Sequence, residues 1–127
     1  MARKSVNRCI DIALACIEER KIVDYASSLS VRRYNAAYVR CANNLLYIDQ
    51  HYPNEIDTVM KLLDHSDYEV VLHCAPIILR FNNCSLSNKW KAIDRIKEVL
   101  RIYDVGKAER SAWKISLEKW EKELGER

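Results

Sequence analysis

The chain has only two glycines, two prolines and one phenylalanine in 127 residues. So few turn-forming residues argue against sandwiches and barrels, which need tight turns at short intervals. Two glycines also cannot build a phosphate-cradling loop. A CxxC pair and a GxSxG nucleophile turn are both missing, and no cysteine has a recognisable His and Asn arrangement around it. Long apolar runs are missing too. The N-terminal stretch MARKSVNRCIDIALACIEER is broken by Asp11 and Glu18, so it reads as neither a secretion signal nor a membrane span. The cysteines, at 9, 16, 41, 74 and 84, are odd in number. They are expected to be small buried residues of a reduced, cytoplasmic protein.

What is present is an ordinary globular balance, 49% hydrophobic and 31% charged. The length suits a single domain, 1–127, that can bury a real core. The net charge of +3 comes from 21 Lys and Arg against 18 Asp and Glu. That excess is too small, and its charges too interspersed, for a dedicated nucleic-acid binder. One segment departs from the pattern. From Asp49 to Glu69 there are six acidic residues (Asp49, Glu55, Asp57, Asp64, Asp67 and Glu69), opposed only by Lys61.

Helical periodicity runs through the chain. Val6, Ile10, Ala13, Leu14 and Ile17 mark a first helix over about residues 5–22. Tyr34, Ala37, Tyr38, Cys41, Leu45 and Ile48 mark a second over about 24–50. Pro53 suits the first turn of a third, over about 53–63, with Ile56, Val59, Met60 and Leu63 inward. Ser66 followed by Glu69 has the spacing of a capping box and opens a fourth helix over about 67–81. Val70 and Val71 favour strand there, and Pro76 should kink a helix, yet a lone strand would find no partner. Trp90 to Tyr103 define a fifth helix, with Gly106 as its expected stop. Trp113, Leu117, Trp120 and Leu124 define a sixth, ended by Gly125. The expectation is an all-α protein of about six helices in antiparallel hairpins, either a short HEAT-like solenoid or an irregular bundle.

His51, His65, His73 and Cys74 lack zinc-ligand spacing. His65 and His73 are separated by a helix boundary, and the adjacent His73 and Cys74 diverge by about 100° on a helix. No catalytic, cofactor-binding or metal-ligating set is therefore assigned. Tyrosines outnumber phenylalanine seven to one. Because tyrosine buries apolar area while keeping a polar tip at water, it suits interfaces. Tyr52 and Tyr68 fall within the acidic segment, near expected helix ends.

Leu62-Leu63-Asp64, then Asp67-Tyr68-Glu69-Val70, with Ala75 and Leu79 beyond, resembles a HEAT-type repeat. Val71 stands where arginine is usual, and Pro76 interrupts the second helix. Together with Tyr34-Asn35 and Trp120, these residues are similar to a family of small bacterial helical proteins over about residues 24–124. Those proteins resemble immunity proteins of toxin systems, including contact-dependent growth inhibition. The resemblance implies a non-enzymatic protein that neutralises a cognate toxin by covering its active site. The toxin implied is a basic nuclease domain, with EndoU-like RNases as the named class. Acidic, tyrosine-bearing surface would steer such a partner. The partner-contact candidates are Asp49, Tyr52, Glu55, Asp57, Asp64, His65, Asp67, Tyr68 and Glu69, with no small-molecule substrate and no membrane expected. The alternatives are a helical adaptor for another cellular protein and, less favoured, nucleic-acid binding through Arg32, Arg33 and Arg40 of the second helix with Lys89, Lys91, Arg95 and Lys97 of the fifth.

Overall fold

The computed structural model describes residues 3–127. All regular structure among them is helical: α1 (Val6–Arg20), α2 (Ser28–His51), α3 (Ile56–Met60), α4 (Tyr68–Ile78), α5 (Leu86–Ile102) and α6 (Lys107–Leu124). The expected all-α architecture of six helices is what the chain adopts.

Local chemistry sets the helix starts. Free amides in a first turn need acceptors, and short polar side chains supply them. The Ser5 hydroxyl accepts from Arg8 N at 3.1 Å, Ser27 from Ser30 N at 3.2 Å, and Ser85 from Asn88 N at 3.1 Å. At α4 the expected Ser66–Glu69 capping box is replaced. Asp67 is the N-cap, its Oδ1 accepting from Glu69 N at 3.0 Å, and Asp67's own amide donates to His65 Nδ1, also at 3.0 Å. A carboxylate also complements the positive end of the helix dipole, which a serine does not.

The third expected helix is shorter and less regular than its periodicity suggests. It opens as a 3-10 turn at Pro53–Glu55, passes through α3 and tightens into another 3-10 turn at Lys61–Asp64. Ile56, Val59, Met60 and Leu63 nevertheless all point inward. Gly106 also differs from expectation. Tyr103 closes α5, and Gly106, with φ of +87°, leads into α6. The last carbonyls of α5 are met by a cation, since Arg110 donates to Leu100 O and, at 3.0 Å, to Tyr103 O.

α4 is the centre of the molecule. Val70, Val71, Leu72, Cys74, Ala75, Ile77 and Ile78 are buried around nearly its whole circumference. A helix covered on all sides needs no polar stripe, so its sequence loses the helical period and mimics a strand. It continues through Pro76, two residues beyond which it ends, so it stops at Ile78 rather than Phe81. α1 and α2 pair through small residues (Cys9, Ala13 and Cys16 on one, Ala37 and Cys41 on the other), each buried. α5 covers another side of α4. α6 is peripheral: Leu117 is its one buried residue, with Trp113, Trp120 and Leu124 partly covered.

Candidate functional site

The acidic segment does not form one acidic face. Asp49 is 2% exposed and is removed from the partner-contact set. Its two carboxylate oxygens accept from Asn82 N and Asn83 N, each at 2.8 Å, and its carbonyl accepts from the Asn83 side chain. It ties the end of α2 to the loop after α4, because amides in that loop have no helical acceptor and a buried carboxylate needs donors. Tyr52 is likewise occupied, its hydroxyl donating to Lys4 O at 2.7 Å.

Further along, the acids meet cations from distant elements. Asp67 pairs with Lys21, which also bridges Glu18 at 2.8 Å. Burial pushes the Asp67 carboxyl upward, but Lys21 and the Glu69 amide outweigh it and hold that carboxyl below its ordinary range. Asp64 lies 3.8 Å from Lys91 and 3.9 Å from Arg95. Glu69 meets no distant cation and lies 3.8 Å from His73 of its own helix. The Tyr68 ring stacks on Tyr103 with centroids 4.6 Å apart. Glu55 and Asp57 are exposed, as Asp64 is, but unlike Asp64 and Asp67 neither forms an ion pair among the described residues.

A second feature was not anticipated from sequence. The end of α1, the first half of α2, α4 and α6 enclose a cleft of about 620 Å³, within the usual range for small-molecule sites. Tyr34 and Tyr38 form one wall, Trp113 and Trp120 another, and Leu72 and Pro76 of α4 lie between them. The two indoles sit 6.3 Å apart, inclined at 56°. Arg20 enters from the last turn of α1. Its guanidinium lies 3.9 Å from the Tyr34 ring centroid and 5.0 Å from that of Tyr38. Nε of Arg20 is buried without a partner. Its terminal nitrogens make no hydrogen bond among the described residues, and its side chain lines the cleft.

His73 also lines the cleft, with Nδ1 2.6 Å from Glu69 O. A carbonyl only accepts, so Nδ1 carries the proton and Nε2 of the neutral ring is left as an acceptor. Burial, the largest influence, pushes the His73 pKa below its ordinary 6.5. The only hints in the sequence were Tyr34, Tyr38, Trp113 and Trp120, and periodicity assigns them to the helix faces that line the core. Convergence of four helices spread along the chain has no local signature.

The buried cysteines are apolar packing. Burial raises the Cys74 thiol and pushes that of Cys41 up to about 12. No three His, Cys, Asp or Glu side chains cluster as metal ligands among the described residues. No helix among them is long and apolar enough to cross a membrane. The fold and cleft define a small all-helical protein with an aromatic, mixed-charge concavity. No protein-family model, curated protein or solved structure matches the chain.

Proposed function

We propose that this chain is a protein-binding inhibitor, an immunity protein that neutralises a cognate bacterial toxin by covering its active site. The reading carries no reaction of the chain's own. The observation that supports it is the isolated pair of exposed carboxylates, Glu55 and Asp57, which no internal cation offsets. Where other acids of the segment spend their charge inside the molecule, these two project a field that a basic nuclease surface complements. A nuclease must hold phosphates, so its own active-site rim is the positively charged surface such a pair would reach.

The test is coexpression with a basic nuclease toxin domain of the EndoU-like class, together with pull-down of the complex. Wild-type protein protects the cells. Reversal of both charges (Glu55→Lys with Asp57→Lys) abolishes protection while the melting temperature stays unchanged. Full protection by the folded double variant would overturn this contact surface. A helical adaptor for another cellular protein would use the same exposed carboxylates, and it would leave toxin-expressing cells unprotected.

A further inference from the structure

Arg20 is held as few surface cations are. A guanidinium normally satisfies its planar fork of donors with a carboxylate or with water. Here one face is fixed over Tyr34, with Tyr38 close by, while Nε is shut off from water and from every acceptor. Neither carboxylate of the cleft lining pairs with Arg20 among the described residues: Glu69 lies 3.8 Å from the His73 ring, and Glu109 accepts from the Trp113 indole N–H at 3.4 Å. The remaining lining cation, Lys21, is bridged to Asp67 and Glu18. The result is a positioned, unpaired positive charge at one end of a cleft whose other end is indole and aliphatic surface.

We propose that this cleft binds a small amphipathic monocarboxylate, its anionic end on the terminal nitrogens of Arg20 and its apolar body against Trp113, Trp120 and Leu72. A planar carboxylate matches the guanidinium fork in a two-point contact, which a lone ammonium cannot offer. The stacked tyrosines already fix the guanidinium, so little ordering remains to be done on binding. Glu69 and Glu109 set the charge limit: a second anionic group on the ligand would lie against a carboxylate. The neutral His73 ring offers an acceptor to any donor on the ligand body. The site is separate from Glu55 and Asp57 and does not depend on the immunity reading.

The test uses purified full-length protein and three probes: indole-3-acetate, its uncharged amide, and inorganic phosphate. Indole-3-acetate is expected to shift the Trp113 and Trp120 indole N–H resonances with saturation below about 10 mM. The amide and phosphate should bind about tenfold or more weakly. Arg20→Met, with its melting curve checked, should lose the preference for acid over amide, whereas Trp120→Ala should weaken both. Equal binding of acid and amide by the wild type would overturn the role of Arg20, even were the variant unfolded. Phosphate binding as strong as that of the acid would overturn the amphipathic class. Indole resonances that do not move with any probe would overturn the site altogether.

Discussion

At the scale of single residues, the most consequential side chains are polar groups that the interior has had to satisfy. Asp49 is the clearest. Its carboxylate serves two backbone amides that lie beyond any helix, so deletion leaves both of them without that acceptor. Asp49→Ala is expected to cost about 2–4 kcal/mol, and Asn, which keeps one acceptor oxygen, should cost clearly less; urea denaturation measures both. Equal losses would show that packing rather than hydrogen bonding makes the position sensitive. His73 gives a prediction with a sign in pH. Its folded pKa lies below the ordinary 6.5 because burial disfavours the cation. The unfolded chain therefore takes up the proton first, so the His73 contribution is complete above about pH 6.5 and declines as pH falls toward the folded value. Thermal melts from pH 7.5 to 5 should show that decline in the wild type and a flatter profile in His73→Gln. Asp67, whose carboxyl is held low, acts further down, its contribution being lost only as pH falls below its ordinary 3.8.

Elements differ in how firmly they are held, and that difference also explains how far they could be read from sequence. The long amphipathic helices α1, α2, α5 and α6 keep a polar face, and their periodicity reports them directly. α4 is buried almost all round, so its run Val70-Val71-Leu72 carries no period, and only the absence of a partner strand points to a helix. The caps Ser27 and Ser85 are not anticipated from sequence, which begins the second helix at about 24, and at α4 the cap is misplaced by one residue, because Asp67 and Ser66 are both good caps and the His65 ring decides between them. Stability follows burial. α6 buries only Leu117 fully, whereas α4 buries seven of its eleven residues. Amide exchange should therefore be fastest in α6 among the five longer helices and slowest in α4. Leu117→Ala, expected to cost about 2–3 kcal/mol at this buried but peripheral site, should raise exchange along 107–124 and leave that of α4 unchanged. Uniform acceleration in both helices would mean that α6 folds as part of one unit with the core.

For the whole molecule, formal charge along the chain is a poor map of charge in space. Six acids in twenty-one residues suggest a continuous negative face, yet folding brings Lys21 from α1 and Lys91 and Arg95 from α5 to Asp67 and Asp64, and it buries Asp49. None of this could be read locally, because each counter-ion lies at least 27 residues away. Stability and partner binding should therefore separate along the segment. Asp67→Lys removes a helix cap and places a cation beside Lys21, so it should lower stability by about 1–2 kcal/mol whether or not it affects binding. Glu55→Lys with Asp57→Lys breaks no side-chain cap hydrogen bond and no bridge, although Glu55 stands at the N-cap of α3 and Asp57 in its first turn, and should stay within about 1 kcal/mol of wild type, while toxin association slows. Salt separates the two effects a second time. Raising ionic strength from about 0.05 to 0.5 M shortens the screening length several-fold, so the wild-type association rate should fall toward that of the double variant, with little change in either melting temperature. Wild-type association independent of salt would mean that Glu55 and Asp57 do not steer the encounter, and that contact is made through the apolar surface instead.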